Sequence, residues 1–293
     1  MPVGSITRGT TGTNRLRRVD RWVATHLSLR RTANPLVVDL GYGASGVTAL
    51  ELHDRLLAVR PDVRVIGFEI EPGRVRTADA QLQQVRTGTT RFTPTAAVSF
   101  ARGGFEVPTG DDRPAVIRAF NVLRQYDEAE VAGAWRLMAS RLQPGGVLVE
   151  GTCDEIGRVS SWIAVDDQGR AESFSISLRL ADLELPSIVA ERLPKALIHH
   201  NVPGERIHAL MTDLDRAWRM HAPLAVYSPV QRWLATVGTL RDSGWPVLAG
   251  RNRWRLGELT LPWSAVAPNP SGNAAVRAGA APPAPPASAA PSP

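Results

Sequence analysis

The stretch LVVDLGYGASGVTALE, Leu36 to Glu51, decides the fold. Leu36, Val37 and Val38 are apolar and run into Asp39 and Leu40. A glycine turn follows, Gly41-Tyr42-Gly43-Ala44-Ser45-Gly46, and a helix-like segment starts at Val47. The order reads as buried strand, tight turn and helix N-terminus. A parallel-sheet protein builds a nucleotide-type pocket from those parts. Gly41 and Gly43 permit a sharply turned backbone and close approach of a ligand. The N–H groups opening the helix are unpaired and can face polar ligand atoms.

Outward from this stretch, strand and helix alternate. The first helix runs to about Arg60, where Pro61-Asp62 breaks it. Val63–Glu69 reads as a second strand that ends on an acidic residue, and Pro72 opens a helix to about Arg86. Thr90–Phe100 is a weaker strand candidate, and Arg102–Asp112 is a loop of Gly, Pro and Asp. Ala115–Val122 reads as a strand, Asp127-Glu128 starts a helix through Arg141, and Pro144-Gly145-Gly146 turns into a strand from Val147. This is the pattern of an α/β protein with a doubly wound, mainly parallel sheet and helices on both faces.

After Gly151 the alternation stops. Ser161–Val165 and Ser173–Leu180 read as an antiparallel C-terminal hairpin at the sheet edge. Residues 186–245 are mostly helical, with Trp218, Trp233 and Trp245 among apolar neighbours as core, and Gly250–Leu261 has room for one short strand. At the other end, Leu16, Val19, Trp22, Val23 and Leu27 recur at helical spacing behind Asn14, a cap candidate. Arg15, Arg17, Arg18 and Arg21 fill the other positions, as a solvated face or as a lid that touches a substrate. The chain therefore divides into a loose arm and helix (1–30), a ligand-binding α/β domain (31–185), a helical extension packed on it (186–266) and a disordered Pro/Ala-rich tail (267–293).

Composition sets the limits. The chain has 293 residues, 43% of them hydrophobic, a formal net charge of +6 and a pI near 10.5. Lys195 is the only lysine, so the positive charge is arginine. That richness fits a biased genome or a basic face for a polyanion. Cys153, the only cysteine, excludes an intrachain disulfide and a cysteine-rich metal cluster, and reads as a small buried residue. His199, His200 and His208 lack zinc-ligand spacing and read as solvated helix surface, so no metal is expected. No apolar run reaches membrane-span length and no secretory core opens the chain; the expectation is a soluble cytoplasmic protein.

The glycine turn satisfies the dinucleotide spelling with Gly41, Gly43 and Gly46, and Glu69 suits a ribose diol in a dinucleotide or in another nucleoside. Asp39, just before the turn, discriminates better. A carboxylate there repels a pyrophosphate and suits a cationic amino-acid moiety. With Val38-Asp39-Leu40-Gly41-Tyr42-Gly43, Glu69, Phe120-Asn121 and Leu142-Gln143-Pro144-Gly145-Gly146-Val147-Leu148, the chain resembles the class I S-adenosylmethionine-dependent methyltransferases. The resemblance covers about residues 30–152 and is to the superfamily rather than to a member. It implies a Rossmann-like methyltransferase fold, S-adenosyl-L-methionine as methyl donor and a transferase acting by direct displacement.

Carried onto this chain, the resemblance implies that the Gly41-Tyr42-Gly43 backbone holds the amino-acid portion of the cofactor, with Asp39 nearby. Glu69 would bind the ribose hydroxyls, Ile70 would pack on the adenine, and Asn121 would face the transferred methyl or the cofactor amine. Glu106 is a further adenine candidate. Asn121 and Tyr126 are the candidates for a catalytic role, with Arg124 beside them on the substrate side; no catalytic base is evident. The chain departs from the family in placing Ser45 where a third glycine is frequent. Asn121-Val122-Leu123-Arg124 also replaces the Asn/Asp-Pro-Pro-aromatic motif of methylases of base amino groups. The acceptor stays open among small molecule, protein and RNA, and no nucleic-acid-binding motif is present.

Three rival readings stand beside this one. An NAD(P)-linked oxidoreductase uses the same glycine turn, and a non-catalytic binding protein keeps the fold. A serine hydrolase is approached by Gly43-Ala44-Ser45-Gly46-Val47, but Val47 stands where the nucleophile elbow needs glycine.

Overall fold

The computed structural model describes residues 1–269; nearly all of the Pro/Ala-rich tail lies outside the described residues. In chain order the strands are β1 (Leu36–Leu40), β2 (Arg64–Glu69), β3 (Val98–Arg102), β4 (Val116–Phe120), β5 (Val147–Cys153), β6 (Val159–Val165), β7 (Ala171–Leu178) and β8 (Glu258–Pro262). The helices are α1 (Arg17–Val23), α2 (Leu27–Arg30), α3 (Val47–Leu57), α4 (Pro72–Arg86), α5 (Glu128–Ala139), α6 (Lys195–Ile198), α7 (Arg206–Met220), α8 (Pro229–Asp242) and α9 (Arg251–Trp254).

All eight strands form one sheet in the order β3-β2-β1-β4-β5-β6-β7-β8. The five strands from β3 to β5 are parallel, and β6, β7 and β8 each run antiparallel to the neighbour before them. The fold is thus α/β with a mainly parallel, doubly wound sheet. The expected hairpin is β6–β7, and β8 returns from the helical region to pair with β7 as the outer strand.

Alternation along the strands explains two apolar layers. Val37, Val65, Val116 and Val149 join Val19, Leu52, Leu56 and Leu82 on the α1, α3 and α4 face. Val38, Ile117, Ala119 and Leu148 join Met138, Leu214, Trp218 and Trp233 on the α5, α7 and α8 face. Every residue of β1, β4 and β5 is buried, as expected for central parallel strands covered on both sides. Each large apolar side chain so buried contributes about 1.5–3 kcal/mol, so both helix layers are needed.

Several boundaries differ from the sequence reading. β3 starts at Val98 because Pro94 and its threonine neighbours form turns. β4 stops at Phe120 because Asn121 takes a left-handed φ of 58°. Asn14 does not cap α1: it also has a positive φ, 59°, and its side-chain oxygen accepts from Arg55 Nη2 at 2.7 Å. His200 is buried rather than solvated, with Nε2 2.6 Å from Glu128 Oε1.

Candidate functional site

The chain winds from β1 toward β2 on one side and from β4 toward β5 on the other. The carboxyl ends of β1 and β4 therefore splay around a crevice, the place where open α/β sheets hold ligands. A cavity of about 390 Å³ lies there. Asp39, Gly41, Gly43 and Thr48 line one wall, Phe120 and Asn121 another. The third wall is the N-terminal arm, Thr7 to Thr11, with Arg15 behind it.

The turn after β1 needs its glycines. Gly41 has φ +69° and a Cβ there would run into Val122; Gly43 has φ +87° and a Cβ would meet Thr11 and the Gly9 backbone. Gly43 N–H donates to Glu69 Oε2 at 3.1 Å, and Gly46 N–H to Gln81 Oε1 at 2.8 Å. Tyr42 is buried between these glycines, edge-on to Phe100 with ring centroids 5.1 Å apart; its carbonyl oxygen accepts from Thr11 Oγ1 at 2.7 Å.

Asp39 lies in the cavity wall, but its charge is matched inside the protein. Arg118 is its register partner on β4 and reaches it with Nε and Nη2, while Thr48 Oγ1 donates to Oδ2 at 2.9 Å. The same guanidinium pairs with Asp20 of α1, which Arg55 also holds. Burial pushes the Asp20 carboxyl up and the two arginines pull it back. Burial likewise opposes the charge on Arg118, but the two carboxylates outweigh it and its pKa is raised. The expected repulsion between Asp39 and a pyrophosphate is therefore cancelled by Arg118, and that discriminator against a dinucleotide falls away.

Glu69 and Ile70 do not line the cavity. Glu69 is 2% exposed; besides Gly43 it accepts from Ile70 N–H at 2.9 Å and faces Arg74 Nη1 at 3.4 Å. It braces the glycine turn. Above it runs the arm, tied down by hydrogen bonds. Arg74 Nη2 donates to Thr7 O at 2.8 Å, Ala44 N–H to Gly9 O at 2.9 Å, and Phe105 N–H to Val3 O at 2.9 Å. Glu106 accepts from Val3 N–H at 2.7 Å.

Asn121 lines the cavity while its side chain splints two strand tips. Its Oδ1 accepts from Cys153 N–H at 3.0 Å and its Nδ2 lies 3.3 Å from Cys153 Sγ. Burial raises the Cys153 thiol pKa, which suits a packing role. Tyr126 stands away from the cavity, with its hydroxyl bonded to the arm at Ser5 N–H. Arg124 lines the cavity and donates to Glu191 O at 2.9 Å.

Sequence reasoning passed over the arm residues Thr7 to Thr11, over Arg118, and over Glu155 and Arg192, which complete the mouth. Arg118 had a signal, a charge in the middle of an apolar strand. Arg192 ends a 3-10 helix, Pro186–Arg192, far down the chain and had none. Among the described residues no group of three or more His, Cys, Asp or Glu side chains is placed to hold a metal ion, and no helix is long and apolar enough to cross a membrane.

No protein-family model and no curated protein matches the sequence. Solved structures do. The chain is similar to magnesium protoporphyrin IX methyltransferase from Synechocystis PCC 6803 with bound SAH: 20% identity, 46% of this chain, 53% of that one, TM-score 0.35. It is similar to the CcbJ methyltransferase from Streptomyces caelestis: 20% identity, 57% of this chain, 66% of that one, TM-score 0.37. It is similar to human N-acetylserotonin methyltransferase in complex with SAM: 22% identity, 49% of this chain, 36% of that one, TM-score 0.33. The chain thus spans about one third to two thirds of the length of these methyltransferase structures.

Proposed function

We propose that the chain binds S-adenosylmethionine in the crevice between β1 and β4 and transfers its methyl group to a small acceptor that carries an anionic group. The observation that carries this is the cavity at the tips of those strands, bounded by the Gly41–Gly43 turn, Asp39 and Asn121. These are the positions the sequence resemblance assigns to the cofactor.

The cofactor supplies the electrophilic methyl and its own leaving group. The protein's task is alignment and exclusion of water. Asp39, fixed by Arg118 and Thr48, presents a rigid polar wall. Asn121, held to β5, fixes the floor at the tip of β4. Arg8, Arg124 and Arg192 surround the mouth with Glu155 as the single exposed carboxylate among them, which favours an acceptor bearing carboxylate or phosphate. Glu155, the exposed carboxylate at the mouth, faces Arg192, and Asp39 is taken by Arg118 and Thr48, so an acceptor that is already ionised suits the site.

Calorimetry tests the reading. S-adenosylhomocysteine is expected to bind at micromolar concentration, with no heat from NAD or NADP. Binding of either dinucleotide in preference to S-adenosylhomocysteine would replace a transferase by an oxidoreductase. Cofactor binding without methyl transfer to any acceptor in a broad panel would make the chain a non-catalytic binding protein.

A further inference from the structure

We infer that residues 3–5 of the chain are a self-ligand, occupying the adenine end of the cofactor crevice until the nucleoside displaces them. The inference rests on the cofactor reading above. The loop after β3 offers one donor and one acceptor side by side, the Phe105 N–H and the Glu106 carboxylate. Both are taken by a single residue of the arm: Phe105 N–H donates to Val3 O at 2.9 Å, and Val3 N–H donates to Glu106 Oε2 at 2.7 Å. An adenine presents the same pair on one edge, a ring nitrogen that accepts and an exocyclic amine that donates.

The arm also fills the space a flat ring would take. Gly4 packs against Ile70, Phe105 and the Tyr126 hydroxyl, and its φ of +122° belongs to glycine alone. Ser5 N–H bonds that hydroxyl, and Gln125 Nε2 holds Ser5 O at 3.2 Å. Further along, Gly9 O takes Ala44 N–H above the glycine turn. The cavity that remains reaches the Asp39 and Asn121 end but neither Ile70 nor Glu106. On the cofactor reading, the nucleoside end of the ligand falls where residues 3–5 lie. Adenosine and residues 3–5 therefore exclude one another, and the seated arm lowers apparent affinity by the fraction of molecules it blocks.

The test compares three proteins by calorimetry with S-adenosylhomocysteine: the natural sequence, Gly4→Val, and a chain lacking residues 2–5. None of these changes touches a residue assigned to the cofactor. Both variants are expected to bind about ten- to a hundredfold more tightly, the range that two released hydrogen bonds allow. Amide exchange at Phe105 without ligand is expected to be faster in both variants. Equal or weaker binding by the variants overturns the inference and leaves the cofactor reading standing. No binding by any of the three overturns the cofactor reading, and the inference with it. Unchanged exchange at Phe105 shows that Val3 was never its partner and overturns the inference alone.

Discussion

Arg118 grips Asp39 through two nitrogens, Nε 3.0 Å from Oδ1 and Nη2 2.7 Å from Oδ2, and neither residue is more than 2% exposed. They are neighbours in the parallel register of β1 and β4, so their side chains leave the sheet on the same face. There they meet Asp20 of α1 and Thr48 of α3. One guanidinium thus ties the first helix to the two strands that open the crevice. A buried ion cluster is costly to assemble, but removing one member leaves the others charged and unpaired.

Arg118→Leu leaves Asp39 buried without a cationic partner and Asp20 with Arg55 alone, and should cost about 3–5 kcal/mol. Urea unfolding with an unchanged slope measures it. Arg118→Lys retains the charge but not the planar fork, and should fall between the two. A loss below about 1 kcal/mol for Arg118→Leu would mean that the cluster does not order this region.

Glu150 on β5 gives a pH signature. It is fully buried, neither carboxylate oxygen has a hydrogen-bond partner, and burial pushes its pKa up to about 8. The nearby Trp135 indole pulls slightly the other way without a hydrogen bond of good geometry. In the unfolded chain this group ionises near its ordinary value of about 4.5. Between those values the folded state holds a proton that the unfolded state has lost. Stability therefore falls as pH rises from about 4.5 to about 8, by up to roughly 1.4 kcal/mol per unit. Glu150→Gln should flatten that slope and be the more stable protein at pH 8. Equal slopes for the two proteins would show that Glu150 is solvated or paired.

The sheet was legible because its signals are local. An apolar run, a glycine turn and a helix start each sit within a few residues; Leu36–Leu40 reads directly as a buried strand, and the strand opening at Val147–Glu150 runs on to Cys153. The site was half legible for the same reason. The glycine turn announces itself, but its surroundings come from residues far apart in sequence. Asp39 looked like a free carboxylate because Arg118 is 79 positions away. The arm beside Glu69, from Val3 to Thr11, left no signal because it has a loop-like composition and bonds largely through its backbone, with the Thr7, Thr10 and Thr11 hydroxyls added. Backbone hydrogen bonding leaves little mark on side-chain identity.

Asn121 unites two requirements in one position. It accepts a left-handed φ of 58° that few non-glycine residues tolerate, and its side chain bonds Cys153 on the next strand. Asn121→Gly keeps the backbone and loses the bond; Asn121→Ala loses both. The expected order of stability is natural sequence, then Gly, then Ala, with about 1 kcal/mol at each step. Thermal unfolding decides it, and an alanine variant as stable as the glycine variant would show that the backbone there is unstrained.

The arginines at the mouth make the last prediction. Arg192 reaches Glu155 only at 3.4 Å and Arg124 is bonded only to a carbonyl oxygen, so both guanidinium groups can turn to an incoming anion. Burial first, and then repulsion from the nearby Arg192, lower the Arg124 pKa. Placing a carboxylate or phosphate there relieves that repulsion. Arg192→Gln and Arg124→Gln should each raise KM for an anionic acceptor about tenfold, the scale of one charge-assisted hydrogen bond at a partly exposed site. The affinity for S-adenosylhomocysteine should stay unchanged. Transfer of labelled methyl groups to paired acceptors, each acid beside its neutral amide, reads the effect. Neutral acceptors that react as well as their acids, and lose nothing in the two variants, would move the anion-binding role of these arginines away from the acceptor.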